Sequence, residues 1–133
     1  MRLFTIAEAN ALIPRLEEIF AQVRQRRDQA RPAQQALAQV EQTKRSNGAD
    51  HSHEIHELRA QLDAAIDAMN ALLQAISALG IEVKDVDQGL VDFPHQREGR
   101  VVYLCWKSGE DRVRFWHELS TGFAGRQPLT SEE

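Results

Sequence analysis

The chain has 133 residues, of which 42% are hydrophobic, and a formal net charge of -4; these values predict one folded domain, and they argue against disorder and against a general nucleic-acid-binding surface. No apolar run reaches the length of a membrane span and the first ten residues lack a signal peptide's apolar core, so we expect a cytoplasmic protein. The single cysteine, Cys105, excludes an internal disulfide and a zinc site built from several cysteines.

The first predicted helix begins at a capping box. Thr5 is suited to the N-cap and Glu8 follows three residues later, so each side chain can bond the other's backbone N–H. Apolar side chains then recur every three or four residues, as in a coiled-coil-like helix. Pro14 and Pro32 lie inside this run, and each removes a helix hydrogen bond. We therefore expect a short helix through about Ile13 and a long one after it.

A second helix follows a turn predicted at residues 46–48. Asp50 can cap its start, Gly80 can end it, and the spacing of apolar residues between them is unbroken. Two such helices joined by a short turn form an antiparallel hairpin. Residues 1–80 are therefore predicted to form a long, coiled-coil-like helical hairpin.

After Gly80 the apolar residues recur with period two, which is typical of β-strands. Pro94 is expected to end one of these strands, because proline cannot donate to a sheet. Residues 81–133 are therefore predicted to be a small antiparallel β subdomain with a C-terminal loop, which makes the whole chain α+β. The predicted strands cover residues 81–84, 89–93, 100–107 and 113–119.

The last two strands are expected to form a hairpin. A four-residue turn would pair Lys107 with Arg112 and would place His117 and Glu118 on opposite faces of the sheet. Residues 110–119 also allow a helical interpretation, because some of their apolar side chains share a face at helical spacing. The strand is preferred, and the helix stays open as an alternative.

Three segments of the C-terminal half carry a family resemblance: LGIEVKDVDQGLVDFP, VVYLCWKSGE and FWHELSTGFAGRQPL. Together with the N-terminal FTIAEANALIPRLEEI, they resemble a bacterial family of uncharacterised proteins, the domain of unknown function numbered 2203. The resemblance follows the whole chain in order, and it implies no activity, cofactor or partner. Its motif includes residues that we expect to be structural, namely Gly89, Phe93, Cys105, Trp106, Gly122 and Gly125.

Four polar residues of that motif form the candidate ligand or ion site: Asp92, His117, Glu118 and Arg126. They could bind a small anion, or a metal ion through Asp92 and His117. The alternative is structural, with Asp92 capping a turn and Arg126 tying down the tail. His117 is predicted to lie on the face of Trp106. An imidazole there needs a polar partner, so we expect it to bond Asp92, or to share a bound ion with Asp92 or Arg126.

Two other groups are weaker candidates. A cysteine nucleophile needs a lowered pKa and an accessible position, so Cys105, in mid-strand between apolar residues, is expected to be inert. His53, His56 and Glu57 lie at the tip of the predicted hairpin, and His53 and Glu57 are spaced to face one metal ion on a helix. The alternative for these three is an exposed polar turn.

The leading prediction for function is a non-enzymatic, homo-oligomeric interaction or scaffold module. Ile66 and Leu73 widen the apolar face of the second helix beyond what one partner helix covers, which predicts a homodimer through the hairpin. The alternative is a small-anion or metal-binding protein, with or without catalysis, that uses the C-terminal site. A third, by analogy of fold with transcript-cleavage factors, is an RNA-polymerase-binding hairpin factor. The protein partner and any cofactor stay open.

Overall fold

The computed structural model describes residues 1–47 and 50–130, with the side chains of residues 44–47 left out. Two long helices are followed by a five-stranded antiparallel sheet, which confirms the predicted α+β class. The elements are α1 (Ile6–Asn47), α2 (Ser52–Ala78), β1 (Glu82–Asp85), β2 (Leu90–Arg97), β3 (Arg100–Lys107), β4 (Phe115–His117), a short 3-10 helix (Phe123–Gly125) and β5 (Gln127–Pro128).

The start of α1 is the predicted capping box. The Thr5 N–H donates to Glu8 Oε1 at 2.8 Å, and the Glu8 N–H donates to Thr5 Oγ1 at 3.0 Å. Phe4, which precedes the cap, is buried and meets Phe93 of β2 edge to face, with the ring centroids 5.3 Å apart. The capping box therefore fixes where the helix begins, and Phe4 attaches this end of the helix to the sheet.

The predicted break in α1 after Ile13 is wrong, because the helix continues through Pro14 and Pro32 to Asn47. A proline inside a helix costs about 3 kcal/mol, mainly through one lost hydrogen bond and a clash one turn back. Ile13 and Leu16 are buried on either side of Pro14. Each buried side chain of this kind contributes about 1.5–3 kcal/mol, so packing offsets the cost of that proline.

The second helix begins and ends as predicted. The Asp50 carboxylate accepts the Ser52 N–H at 3.0 Å, and α2 ends at Ala78, two residues before Gly80. The two helices pack together, and their antiparallel direction is marked by an ion pair of 3.0 Å between Glu41 Oε1 and Arg59 Nη2. The turn predicted at residues 46–48 lies partly outside the described residues, since Gly48 is not among them.

The chain divides into two compact units. One contains residues 1–21 and the chain from Leu73 onward, and it holds most of the buried apolar side chains that the structure describes. The other is Gln22–Leu72, the paired part of the helices. In this second unit, the buried side chains among the described residues are Val23 and Ala33.

The sheet has the order β1-β2-β3-β4-β5, so every strand pairs with its neighbours in sequence. β2 and β3 form a tight hairpin whose two connecting residues, Glu98 and Gly99, have φ angles of 51° and 78°. Two positive φ angles are the mark of a type I′ turn, which matches the twist of the flanking strands. This turn sets the β2–β3 register, in which Asp92 lies opposite Cys105.

β2 does not end before Pro94, as the sequence predicted, but runs through it to Arg97. The Pro94 carbonyl accepts the Phe4 N–H at 2.7 Å, so the backbone N and O of this residue point away from β3. On that side the pairing with β1 stops at Asp92. None of the described strands needs the missing N–H of Pro94, and the proline is therefore tolerated.

Residues Phe115–His117 form a strand, so the strand prediction is right at this position and the helical alternative for residues 110–119 is wrong. The predicted pairing of Lys107 with Arg112 is also wrong, because the loop is longer and Cys105 lies opposite Phe115. Glu110 shapes this loop: its carboxylate accepts the Lys107 N–H at 2.8 Å and its carbonyl accepts the indole N–H of Trp106 at 2.9 Å. The apolar pattern of the sequence does not predict the conformation of this loop.

Candidate functional site

The two faces of the sheet differ in chemistry. One face carries buried apolar side chains from three neighbouring strands, with Phe93, Leu104 and Trp116 among them, and Phe93 contacts Phe4 before α1. The opposite face carries polar side chains in the same three strands. The observed register places the buried residues Asp92 of β2, Cys105 of β3 and His117 of β4 there.

His117 therefore lies on the face opposite Trp106, and its predicted position beside Trp106 is wrong. The β3–β4 register is one residue away from the predicted one, since Tyr103 lies opposite His117. Successive side chains of a strand point to opposite faces, so a shift of one residue exchanges the faces of the whole strand. The shift brings His117 to the face of Cys105.

The side chains of Asp92, Cys105 and His117 converge, and we call them the Asp92–Cys105–His117 cluster. Their possible ligand atoms (a carboxylate oxygen, the thiol sulfur and an imidazole nitrogen) all lie within 4.8 Å of one another. The three residues are 2%, 0% and 2% exposed. Among the described residues, this is the one group of three or more His, Cys, Asp or Glu side chains arranged closely enough to hold a metal ion.

Hydrogen bonds orient the imidazole of His117. Its Nε2 lies 3.0 Å from Asp92 Oδ1, so the predicted hydrogen bond between these residues is present. Its Nδ1 lies 2.7 Å from the backbone carbonyl oxygen of Glu118. A carbonyl can only accept, so Nδ1 carries a proton and donates it. Nε2 is therefore the nitrogen that faces the cluster.

The contact between His117 Nε2 and Asp92 Oδ1 needs one further proton. Without it, a lone pair of the nitrogen would face a lone pair of the carboxylate. The proton belongs either to an imidazolium beside a carboxylate or to a neutral imidazole beside a carboxylic acid. Burial raises the pKa of Asp92, although the hydrogen bond from His117 partly offsets this effect. Either way, the pair holds a proton that a cation could replace.

Burial also keeps Cys105 protonated in the metal-free protein. Desolvation raises the pKa of the thiol to about 12, and the nearby Arg126 guanidinium offsets only part of this rise. A thiol in that state is a poor nucleophile, in agreement with the prediction that Cys105 is inert. A metal ion would change this, because coordination deprotonates a thiol.

Tyr103 covers the cluster beside His117, with the two ring centroids 5.5 Å apart. A hydrogen bond between the phenol and Glu82 raises the pKa of Tyr103 to about 12 and lowers the pKa of Glu82. The ammonium of Lys84 lies 5.5 Å from the centroid of the Tyr103 ring. Tyr103 and Glu82 are half-buried, and Lys84 is exposed.

Arg126 also contacts Cys105 and is held by two aromatic rings. Its guanidinium carbon is 4.0 Å from the centroid of Phe115 and 4.7 Å from that of Phe123. Its Nη2 donates to Glu110 Oε1 at 2.6 Å and to the Cys105 carbonyl at 3.3 Å. Arg126 was predicted from the sequence as a member of the site, and the structure places its guanidinium against the Cys105 carbonyl.

The carboxylate of Glu118 does not belong to the site. It pairs with Arg100 Nη2 at 2.5 Å on the surface, and this hydrogen bond lowers the pKa of Glu118. Only the backbone carbonyl of Glu118 contributes, through its bond to His117. The side chains of adjacent residues in a strand point apart, which is why the two cannot share one site.

The hairpin tip brings two of its three candidate residues together. His53 Nε2 lies 3.3 Å from Glu57 Oε1, but the imidazole is 86% exposed. His56 is exposed as well. Within the described part of the chain, no third His, Cys, Asp or Glu completes a metal-binding group there.

The membership of Cys105 in the site was missed by sequence reasoning. The signal was the Glu98-Gly99 pair, since a two-residue hairpin turn between the strands pairs Asp92 with Cys105 by counting outward from it. Because the strand was expected to end at Pro94, the turn at Glu98 and Gly99 was not predicted. His117 joins the two only through the β3–β4 register, which depends on a loop without a tight-turn pattern.

The remaining motif residues have structural positions. Phe93 and Trp106 are completely buried in the core. Gly89 has a φ angle of 65°, and an added Cβ would lie 2.6 Å from the Ser108 Cβ, so only glycine fits there. Gly122 precedes the short 3-10 helix and Gly125 ends it.

These features define a class of α+β protein: a pair of long helices followed by a five-stranded antiparallel sheet with a buried Asp–Cys–His cluster on its polar face. The chain belongs to the family described as "Uncharacterized conserved protein (DUF2203)", which matches residues 2–129 and confirms the resemblance seen in the sequence. No curated protein and no solved structure matches the chain. Among the described residues, no helix is both long enough and apolar enough to cross a membrane.

Proposed function

We propose that this protein binds a divalent transition-metal ion through Asp92, Cys105 and His117, and that Zn²⁺ is the ion these ligands favour. The observation that carries the proposal is the convergence of an oxygen, a sulfur and a nitrogen ligand within 4.8 Å. Zinc takes this combination of donors in proteins, whereas magnesium and calcium prefer oxygen donors alone. The sequence predicts Asp92 and His117 as possible metal ligands. Our proposal keeps both residues and adds Cys105.

The hydrogen bond from His117 Nδ1 to the Glu118 carbonyl supports a ligand role for His117. Metal-binding histidines commonly donate their second ring N–H to a backbone carbonyl or a carboxylate, which fixes the tautomer and aims the free nitrogen at the ion. In this protein the free nitrogen is Nε2, which already faces Asp92. The imidazole would therefore need little reorientation to bind metal.

Charge balance also favours a cation. Asp92 and Cys105 are buried acidic groups whose pKa values are raised because their ionised forms lack solvent. A divalent cation would neutralise one carboxylate and one thiolate. Binding should release the proton shared by Asp92 and His117 together with the thiol proton. A thiolate ligand needs a reducing compartment, which is consistent with the predicted cytoplasmic location.

Three protein ligands leave one position of a tetrahedral zinc site open. Structural zinc sites usually have four protein ligands, whereas catalytic sites have three and a water or substrate. Among the described residues, no fourth His, Cys, Asp or Glu joins the cluster. We therefore assign the site to the open kind, in which the ion can take an external ligand.

The proposal is tested by titrating chelator-treated protein with Co²⁺, which replaces zinc and reports a cysteine ligand through a thiolate charge-transfer band. We expect one Co²⁺ per chain, displaced by Zn²⁺ and not by Mg²⁺. Cys105→Ser should abolish the band. His117→Gln should weaken binding by more than the roughly 10–100-fold that loss of an outer hydrogen-bond partner costs.

The matched control is His53→Gln, which removes an exposed histidine at the hairpin tip and should leave the titration unchanged. Wild-type protein that gives no charge-transfer band would refute the proposal. Weaker Co²⁺ binding in His53→Gln, with Co²⁺ binding retained in Cys105→Ser without any charge-transfer band, would move the metal to the tip.

A second candidate function is the homo-oligomeric scaffold module predicted from the sequence. From Ile55 to Leu72, the residues that face α1 in the apolar pattern are half-buried, and none is buried. Ile66 is 48% exposed. A second copy of the hairpin could cover these side chains, which supports the predicted homodimer. The alternative of an RNA-polymerase-binding hairpin stays a prediction.

A further inference from the structure

Arg126 has a donor that the described residues do not satisfy. The side chain is 13% exposed, and its Nη2 bonds the Glu110 carboxylate and the Cys105 carbonyl. Its Nε is buried and has no hydrogen-bond partner within the described part of the chain. A buried donor without an acceptor costs about 1–3 kcal/mol, and more on a charged group. The Nε–H of Arg126 is therefore suited to an external acceptor.

The guanidinium cannot easily turn away from this position. Phe115 and Phe123 contact it at 4.0 and 4.7 Å from their ring centroids, and Glu110 fixes one terminal nitrogen at 2.6 Å. A planar guanidinium held in this way presents its remaining N–H groups in fixed directions. Its Nη2 also lies 3.3 Å from the carbonyl oxygen of Cys105, a residue of the proposed metal site.

The external ligand must coordinate the metal ion and also accept a hydrogen bond from Arg126. A metal-bound water uses its oxygen lone pair on the ion and directs hydrogens outward, so it is a poor acceptor for an N–H. A carboxylate or an inorganic oxyanion can coordinate through one oxygen and accept from Arg126 through another. The cluster is almost completely buried, so only a small ligand would fit.

We propose that the open position of the metal takes one oxygen of a small carboxylate or inorganic oxyanion, and that a second oxygen of this ligand accepts the Nε–H of Arg126. This inference rests on the proposed metal site of Asp92, Cys105 and His117. It assigns Arg126 the role of a ligand-selecting residue and gives the ligand class as anions with at least two acceptor oxygens on one centre.

The test uses the Co²⁺-loaded full chain, titrated separately with acetate, bicarbonate and inorganic phosphate. Binding at the open position should change the visible d–d bands of the cobalt while the thiolate charge-transfer band stays. The arm with the tightest binding identifies whether the ligand is a carboxylate or an inorganic oxyanion. Chloride, which has a single atom, is the negative control and should not compete at equal concentration.

Arg126→Gln removes the charged donor and should weaken the bound anion by about 10–100-fold, the equivalent of one hydrogen bond to a charged group. Arg126→Lys keeps the charge without the planar fork and should bind the anion almost as weakly. Arg100→Gln, which changes an arginine paired with Glu118 outside the site, should bind like wild type. An unchanged charge-transfer band in each variant shows that the metal site is still folded.

The outcomes separate the two proposals. A charge-transfer band without any response to the three anions would overturn the anion site and leave the metal site standing. Equal anion affinity in wild type and Arg126→Gln would overturn the role of Arg126. Absence of the charge-transfer band in wild type would overturn both.

Discussion

The proton between Asp92 and His117 makes Asn a matched replacement for Asp92. Its amide N–H can donate to His117 Nε2 as a protonated carboxyl group does, while Nδ1 keeps its bond to the Glu118 carbonyl. We expect chelator-treated Asp92→Asn to be at least as stable as wild type at neutral pH and to bind Co²⁺ far more weakly. Urea unfolding and the cobalt titration measure the two properties. A loss of stability above about 2 kcal/mol, the scale of a hydrogen bond to a charged group, would show that the ionised carboxylate stabilises the fold.

The pH dependence of that comparison has a definite sign. Burial raises the pKa of Asp92 in the folded state, so its contribution to stability is complete below the ordinary aspartate pKa of about 3.9 and is lost as the pH rises through the folded value. Metal-free wild type should therefore lose stability relative to Asp92→Asn as the pH rises from the acid range. A difference that is independent of pH would contradict the raised pKa.

Cys105 should be unreactive in the native, metal-free protein. The thiol is fully buried, and its pKa is raised to about 12, so almost no thiolate exists at pH 8. We expect a chromogenic disulfide reagent to label Cys105 only after denaturation, at the rate of an ordinary exposed cysteine. Rapid labelling of the folded chain would show that the polar face opens to solvent more readily than this structure implies.

Two glycines in the connections of β2 allow backbone strain and crowding to be separated. Gly89 and Gly99 both have positive φ angles, of 65° and 78°. An added Cβ at Gly99 meets nothing within 4 Å, whereas at Gly89 it would lie 2.6 Å from the Ser108 Cβ. Gly99→Ala should cost about 1–2 kcal/mol from the left-handed conformation alone.

Gly89→Ala should cost more than Gly99→Ala, because Ser108 must also move. The Ser108 hydroxyl and the Gly109 N–H both bind the Glu17 carboxylate of α1, so this movement also strains a contact between helix and loop. Urea unfolding of both variants measures the difference. Equal losses would mean that the β3–β4 loop yields freely.

At the scale of the elements, local sequence patterns correctly predicted where the two helices begin. They did not predict that α1 and β2 continue through a proline. The capping box at Thr5 and the Asp50 cap depend on residues a few positions apart, so they could be read directly. The run of α1 through Pro14 and of β2 through Pro94 depended on distant partners, namely core packing and the contact with Phe4. Propensity alone cannot supply such energies.

At the scale of the whole molecule, the homodimer prediction is tested by sedimentation at micromolar concentration. We expect a dimer for wild type and a monomer for Ile66→Glu, because Ile66 is an exposed apolar residue and a charge would be costly in an interface. Ala71→Glu adds the same charge at an exposed position of α2 that lies on a different helix face from Ile66, and should remain dimeric. Wild type that sediments as a monomer would remove the scaffold proposal and leave the metal proposal untouched.

The sequence by itself determined the α+β class and the capped start of α1. It favoured a strand at Phe115–His117 and selected Asp92 as one possible partner of His117. Period and capping are local properties, and a buried imidazole needs a polar partner in any register. Only the tertiary structure decided that Cys105 adjoins that pair, that Arg126 contacts Cys105, and that the Glu118 carboxylate pairs elsewhere. The alternating pattern of a strand is equally regular in two registers, and a slip of one residue exchanges every side chain between the faces of the sheet. The loop around Glu110 and the packing across the sheet select one of the two registers. Both depend on residues that are distant in the sequence, so a short segment cannot predict the register.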